Sequence, residues 1–126
     1  MDPRIQWATT ELEQRLADAL TVAQLATAVN LSPSRFAHLF REETGVSPMR
    51  YLHTQRMVRA RALLERSFLT VKQVMRQVGC GDASHFARDF RRFHGMAPSE
   101  CRAAGGGPRR ITPWTTSTAA DVPRPP

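Results

Sequence analysis

The stretch PMRYLHTQRMVRARALLERS, Pro48 to Ser67, decides how the rest of the chain is organised. Its apolar residues recur at intervals typical of one face of an α-helix. They are Leu52, Met57, Ala60, Leu63 and Leu64, and five arginines (Arg50, Arg56, Arg59, Arg61 and Arg66) fill other positions. Residues 21–48 before this helix and residues 70–98 after it are two copies of one unit. The sequence therefore predicts a spacer helix that joins two related units.

The first copy carries the start and stop signals of two helices separated by a short turn. Thr21 and Gln24 have the spacing of a capping box at the start of the first of these helices. Ser32 is a favourable N-cap for the second, and Pro33 at its first helical position costs no hydrogen bond. Gly45 is placed to end that helix in a left-handed conformation. The copy is thus predicted to be helix, turn, helix.

The second copy repeats this pattern with a constant offset. Thr70 and Gln73 match the first capping box at an offset of 49, and one residue is inserted in the turn Gly79-Cys80-Gly81. Asp82 then takes the N-cap role, and later positions match at an offset of 50. An internal repeat aligned at caps, core and helix ends indicates two like-built structural units. The matched pairs are Ser34/Ser84, Phe36/Phe86, Ala37/Ala87, Phe40/Phe90, Arg41/Arg91, Gly45/Gly95 and Pro48/Pro98.

Helical periodicity also precedes the first copy and follows the second. Apolar residues predict an amphipathic first helix from about Arg4 to Ala19, and a short closing helix is expected from Pro98 to about Ala103. The chain is thus predicted to be all-α, with a domain of about seven helices over residues 4–103. Its parts are a first helix-turn-helix segment at 20–47, the linker helix at 48–67 and a second helix-turn-helix segment at 68–103. Residues 104–126 are rich in Gly, Thr, Ser and Pro, and are predicted to be a disordered tail.

The charge balance points to a polyanionic partner. The chain has 18 Lys and Arg against 11 Asp and Glu, a formal charge of +7, and a pI of about 11.2. A small, strongly basic chain favours nucleic acid first and a membrane surface second. Cys80 and Cys101 are too few for a disulfide framework and are expected to be reduced thiols. Since neither a membrane span nor a signal peptide is recognisable, the expected location is the cytoplasm.

The second helix of each copy is predicted to have two opposed faces. Phe36 and Phe40 in the first copy, and Phe86, Phe90 and Phe93 in the second, form the buried side. The opposite side carries hydroxyl, imidazole and guanidinium groups, which donate hydrogen bonds to base edges and phosphates when a helix enters the major groove. These outward residues are Ser34, Arg35, His38 and Arg41 in the first copy, and Ser84, His85, Arg88, Arg91 and Arg92 in the second.

At these residues the chain resembles the DNA-binding domain of AraC/XylS-type transcriptional regulators. The resemblance covers about Ala19 to Arg102, including the segments Phe40-Arg41-Glu42-Glu43-Thr44-Gly45-Val46-Ser47-Pro48 and Gly95-Met96-Ala97-Pro98-Ser99. It implies a homeodomain-like, double helix-turn-helix fold that binds duplex DNA as a monomer, with two recognition helices in successive major grooves. The positions implied to read bases are Ser34, Arg35, Ala37, His38, Ser84, His85, Ala87 and Arg88. Those implied to face phosphates are Arg41, Arg91 and Arg92.

One departure from the family pattern concerns the packing of the second unit. Met75 occupies a position where these regulators have a small residue, whereas Ala26 keeps the small residue in the first copy. We therefore expect looser packing in the second unit.

The sequence predicts a bacterial transcriptional regulator that is not an enzyme and needs no cofactor. No glycine-rich phosphate loop, catalytic carboxylate pair or nucleophile–base arrangement is recognisable. Cys80, Asp82 and His85 lack the further ligands that a zinc site needs. Double-stranded DNA is the expected partner, with RNA polymerase as a further one. The alternative is an all-α protein-interaction module that acts on the transcription machinery.

Overall fold

The computed structural model describes residues 1–105, which form seven α-helices and no strand. The predicted all-α class and the seven helices are confirmed. Most of the predicted disordered tail, from residue 106 onward, lies outside the described residues. Among residues 1–105, no helix is both long enough and apolar enough to cross a membrane. The helices are α1 (Pro3–Gln14), α2 (Val22–Ala28), α3 (Pro33–Thr44), α4 (Pro48–Arg66), α5 (Val71–Gln77), α6 (Ala83–His94) and α7 (Pro98–Gly105).

The chain divides into two compact units, with the boundary inside α4 between Arg56 and Met57. We call residues 1–56 the first unit and the residues from 57 onward the second unit. Each has its own hydrophobic core. Helices α1, α2, α3 and the first part of α4 enclose that of the first unit. Its buried residues are Ile5, Ala8, Leu12, Leu16, Leu25, Ala26, Phe36, Phe40 and Leu52.

The core of the second unit contains the corresponding aromatic pair. Phe86 and Phe90 lie 5.8 Å apart between ring centroids, close to the 5.9 Å that separates Phe36 and Phe40. Phe93, predicted to be buried with them, is only half-buried because it lies at the edge of this core. The buried residues are Met57, Ala60, Leu64, Val74, Met75, Val78, Phe86, Phe90 and Cys101.

The capping and the turn backbone are alike in the two copies. Both predicted capping boxes, at Thr21 and Thr70, have both of their hydrogen bonds. In the turns, Asn30 has φ 61° and Gly79 has φ 88°, a left-handed conformation that Asn and Gly tolerate best. The backbone N–H groups of Leu31 and Cys80 then donate to carbonyls five residues back, each at 2.9 Å. The extra residue of the second copy therefore falls after this shared turn and leaves its geometry unchanged.

Helix α1 is shorter than predicted: it ends at Gln14 rather than near Ala19. The backbone of Arg15 leaves the helical region, at φ −120° and ψ 48°. The side chain of Leu16 still reaches the core, but its carbonyl oxygen accepts hydrogen bonds from Nε and Nη2 of Arg56, at 3.0 and 2.9 Å. The prediction failed because a contact 40 residues away stabilises the end of the helix.

An arginine also holds the loop before α5. Nη1 of Arg102 donates to the carbonyl of Ser67 at 2.7 Å, and its Nη2 donates to the carbonyl of Leu69. Each unit thus uses one guanidinium to fix the backbone just ahead of its helix-turn-helix. Helix α7, which carries Arg102, continues to Gly105, two residues beyond the expected end.

His94 anchors the C-terminal end of α6 to α4. Its Nε2 lies 2.9 Å from the carbonyl oxygen of Met57, and its Nδ1 lies 3.4 Å from Nη1 of Arg61. The ring also packs against Phe90 and Phe93, with centroids 4.5 and 4.8 Å away. Desolvation by this packing lowers the pKa of His94 below its ordinary value. The neutral ring, which donates to Met57 and accepts from Arg61, fits this environment.

Candidate nucleic-acid interface

Helix α3 presents a polar face because its aromatic residues determine its rotation. Phe36 and Phe40, four residues apart, are fully buried, so the opposite side of the helix faces solvent. Ser34 and Arg35, predicted to read bases, are exposed there, and so is His38. The fourth predicted reading residue, Ala37, is half-buried. Its methyl group therefore lies at the edge of the exposed face.

Helix α6 has a more open face of the same kind. Phe86 and Phe90 are buried, whereas the four predicted reading residues of this helix are all exposed. They are Ser84, His85, Ala87 and Arg88. The two alanines at matched positions thus differ, since Ala87 is exposed while Ala37 is half-buried. A partner would have access to all four positions of α6.

The three predicted phosphate-facing arginines are also exposed. Arg41 lies in the last turn of α3, and Arg91 and Arg92 lie in the last turn of α6. Nη2 of Arg91 approaches a carboxylate oxygen of Glu100 at 3.8 Å, between two side chains that are each 59% exposed. Such an exposed pair contributes little to stability. Within residues 1–105, the guanidinium groups of Arg41 and Arg92 form no ion pair, so both can bind an external anion.

The two histidines of the candidate interface each lie near a carboxylate on the next turn. Nε2 of His38 is 3.2 Å from Glu42, and Nε2 of His85 is 3.9 Å from Asp89. Both imidazoles remain largely exposed, at 74% and 65% of the side chain. In both residues Nε2 is the nitrogen nearer the carboxylate, which leaves Nδ1 available to an external hydrogen-bonding group.

The N-termini of α3 and α6 differ in charge. The hydroxyl of Ser32 accepts from the backbone N–H of Arg35 at 3.2 Å, whereas the carboxylate of Asp82 accepts from that of His85 at 2.9 Å. This backbone hydrogen bond is the main cause that lowers the pKa of Asp82. A phosphate approaching the N-terminus of α6 would therefore meet an ionised carboxylate, while one approaching α3 would meet a neutral hydroxyl.

Two further cations, which the motif analysis did not identify, lie on α5. Lys72 and Arg76 are exposed, one turn apart, and neither is ion-paired within the described part of the chain. At an offset of 49, their counterparts on α2 are Ala23 and Thr27. The repeat alignment itself contains this signal, because a charge present in only one copy is not required by the shared fold. In residues 1–105, no group of three or more His, Cys, Asp and Glu residues could hold a metal ion.

Comparison with known proteins identifies this arrangement. Residues 25–104 match a protein family described as a helix-turn-helix domain. The arabinose operon regulatory protein of Salmonella typhimurium is 38% identical over 104 residues, which cover 82% of this chain and 37% of that protein. The transcriptional activator RhaS of Escherichia fergusonii is 34% identical over 101 residues, which cover 80% of this chain and 36% of the activator. The chain thus spans little more than a third of these relatives.

A solved structure supports the same assignment. The crystal structure of the DNA-binding domain of AdpA, a global transcriptional factor in complex with a target DNA, superimposes with a TM-score of 0.75. It is 27% identical in sequence, and the match covers 92% of this chain and 96% of that one. The repeat, the caps, the fold and the family match all agree, and the chain belongs to the helix-turn-helix domain family, as a DNA-binding domain of the AraC/XylS type.

Proposed function

We propose that this chain binds double-stranded DNA sequence-specifically and regulates transcription in the bacterial cytoplasm. Helices α3 and α6 act as recognition helices, each in a major groove. Ser34, Arg35, Ala37 and His38 read bases from α3, and Ser84, His85, Ala87 and Arg88 read bases from α6. Arg41, Arg91 and Arg92 bind phosphates and fix the register of the protein on the duplex.

The observation that carries this proposal is the pair of exposed polar faces on α3 and α6, each with an arginine that forms no ion pair within residues 1–105. In each helix two buried phenylalanines leave the opposite side exposed. Arg35 on α3 and Arg88 on α6 extend from these sides, and neither is ion-paired within residues 1–105. A single exposed arginine is common on protein surfaces. Here one occurs on the second helix of both copies, in a fold similar to a DNA-binding domain that was solved with its target DNA. Bidentate contact of arginine with guanine is the commonest specific base contact.

The proposal includes contact with successive major grooves on one duplex. Centres of major grooves on one side of B-DNA are about 34 Å apart. Helix α4, with 19 residues, is about 28 Å long at the rise of an α-helix and runs from the first unit into the second. The DNA bends where its relaxed geometry does not match both recognition helices, at an elastic cost that depends on its sequence.

The decisive experiment is selection of bound sequences from a random duplex pool, followed by quantitative binding to the selected site. Arg88→Ala is expected to reduce discrimination at one base pair by about 1–3 kcal/mol. Arg4→Ala on α1 is the matched control, because it removes the same charge from a side chain already paired with Asp2 at 2.9 Å. A recovered motif that Arg88→Ala weakens and Arg4→Ala does not would support the proposal. Equal loss on selected and random DNA would refute a base-reading role for Arg88.

The rival function, an all-α protein-interaction module, makes the opposite prediction. A protein-interaction module is expected not to bind duplex DNA in a saturable, salt-sensitive way. Failure of the selection would therefore favour this rival function. We further propose that the chain binds DNA as a monomer, since one chain carries two recognition helices. RNA polymerase is the proposed protein partner, on the ground that one relative is named a transcriptional activator.

A further inference from the structure

The net positive charge of the described chain lies almost entirely in the second unit. The first unit, residues 1–56, contains six Arg and six Asp or Glu residues, so its side chains have no net charge. Residues 57–105 contain nine Lys or Arg and four Asp or Glu residues, a net charge of +5. Two units of one fold therefore differ strongly in the potential that they present to a polyanion.

The same contrast holds within the two helix-turn-helix motifs. Helix α2 has no charged side chain, and α3 balances its two arginines with Glu42 and Glu43. Helix α5 carries Lys72 and Arg76, and α6 carries three arginines against one aspartate. At matched positions, Glu42 of α3 corresponds to Arg92 of α6, a difference of two charges that outweighs the single negative charge gained where Ser32 corresponds to Asp82.

Internal contacts increase this difference. In the first unit, Arg4 pairs with Asp2 at 2.9 Å, and Arg15 pairs with Asp18 at 2.7 Å. Arg56 is engaged by the carbonyl of Leu16. Three of the six arginines of that unit are thus already occupied. In the second unit six cations form no ion pair within the described residues, namely Arg59, Arg66, Lys72, Arg76, Arg88 and Arg92.

We infer that the second unit is the electrostatic anchor of this protein on the sugar–phosphate backbone, and that the first unit engages DNA only where its bases match. This inference rests on the proposed function and assigns different tasks to its two recognition helices. Sequence-independent binding comes mainly from counterion release, and therefore from unpaired cations. The second unit holds any duplex, while the first unit, whose side chains have no net charge, is held mainly by the contacts that a matching site adds.

The inference predicts different behaviour on two kinds of DNA. On a duplex of mixed sequence, the second unit alone contacts phosphates. On the selected site both units do, so the dependence of affinity on salt is steeper there. Each lost phosphate contact makes the slope of log K against log salt less steep by about 0.9. At 0.1 M salt this corresponds to roughly an eightfold loss of affinity.

The first test is an NMR titration of the ¹⁵N-labelled chain with a short mixed-sequence duplex. Amide signals of α5 and α6 are expected to shift at low salt, while those of α2 and α3 stay in place. The selected site is expected to shift both sets. Equal shifts in α3 and α6 on the mixed-sequence duplex would overturn the inference but leave the proposed function intact. Absence of shifts with every duplex would refute the proposed function, and the inference with it.

The second test uses variants in the last turn of each recognition helix. Arg92→Ala is expected to lose roughly eightfold in affinity at 0.1 M salt on both DNAs. Arg41→Ala, which removes the same charge from α3, is expected to lose affinity on the selected site but less than twofold on mixed sequence. Glu42→Arg, which gives α3 the residue found in α6, is expected to increase mixed-sequence binding. Equal losses for Arg41→Ala and Arg92→Ala on mixed sequence would show that only net charge matters and would contradict the inference.

Discussion

Arg56→Met tests whether a single guanidinium holds the end of α1 and the entry into α2. In the structure Nε and Nη2 of Arg56 both donate to the carbonyl oxygen of Leu16, at 3.0 and 2.9 Å. Methionine keeps most of the alkyl chain and removes both donors, so the packing of the stem changes little. The carbonyl is left in a partly buried site where water only partly replaces the lost bonds.

The expected loss follows from the kind of hydrogen bond involved. A hydrogen bond to a charged donor contributes about 1.5–3 kcal/mol, and the two donors here share one acceptor, so their effects do not add fully. We expect Arg56→Met to lower the free energy of unfolding of the first unit by about 2 kcal/mol. With an m-value of roughly 1–2 kcal/mol per molar urea, the midpoint falls by about 1–2 M.

The chain offers a local probe and a matched control for this measurement. Its two tryptophans are Trp7 and Trp114. In a Trp114→Phe background, Trp7 on α1 is the sole tryptophan, and its fluorescence in urea follows the first unit. Arg59 lies on the same helix, is exposed and is not ion-paired within residues 1–105. The free energy of unfolding of Arg59→Met is therefore expected to stay within about 0.5 kcal/mol of that of the parent. If the two variants behaved alike, the contact with Leu16 would not stabilise the fold.

The remaining predictions concern the second unit. The pKa of His94 is lowered in the folded state, so the unfolded chain binds a proton more readily than the folded chain. The contribution of the neutral His94 ring to the free energy of unfolding should therefore be fully present above pH 6.5 and decrease as the pH falls below that value. Urea unfolding at pH 7.5 and pH 5 should show this loss, and His94→Gln should reduce it; an unchanged pH dependence would contradict the role of the ring. Phe90→Ala should cost about 3–5 kcal/mol in urea unfolding because Phe90 is fully buried, and a loss below 1 kcal/mol would mean that the core collapses around the gap. Gly95→Ala should lower the free energy of unfolding by about 1–2 kcal/mol, because φ is 83°, a left-handed conformation that disfavours a residue with a Cβ. A Cβ there would meet no atom within 4 Å, so the cost comes from the backbone and not from a clash. Calorimetry showing no loss would indicate that α6 ends differently.

Most of the fold could be predicted from the sequence because its signals are local. Capping boxes, a proline at the first helical position and glycines that end helices depend on residues a few positions apart. The start of α3 after Ser32 and its end at Gly45 were predicted and are confirmed, since Gly45 has φ 88°. The repeat then identified which pattern in the second copy performs the same structural task.

The residues of the candidate site could be predicted only in part from such local signals. A periodic pattern shows which side of α3 or α6 faces outward, but not how exposed each position is. The matched residues Ala37 and Ala87 differ in burial for that reason. The cations of α5, Lys72 and Arg76, lie outside the family motif, which centres on the second helix of each copy.

The sequence alone determined the helix-turn-helix class and the duplication, since both follow from spacing along the chain. Tertiary structure decided where α1 ends, because Arg56 contacts a carbonyl 40 residues away. It also decided which arginines are free to bind a partner. A guanidinium that donates to a backbone carbonyl and one that projects into solvent are the same letter in a sequence. Only the fold shows that Arg56 and Arg102 hold loops in place while Arg88 and Arg92 remain available to an anion.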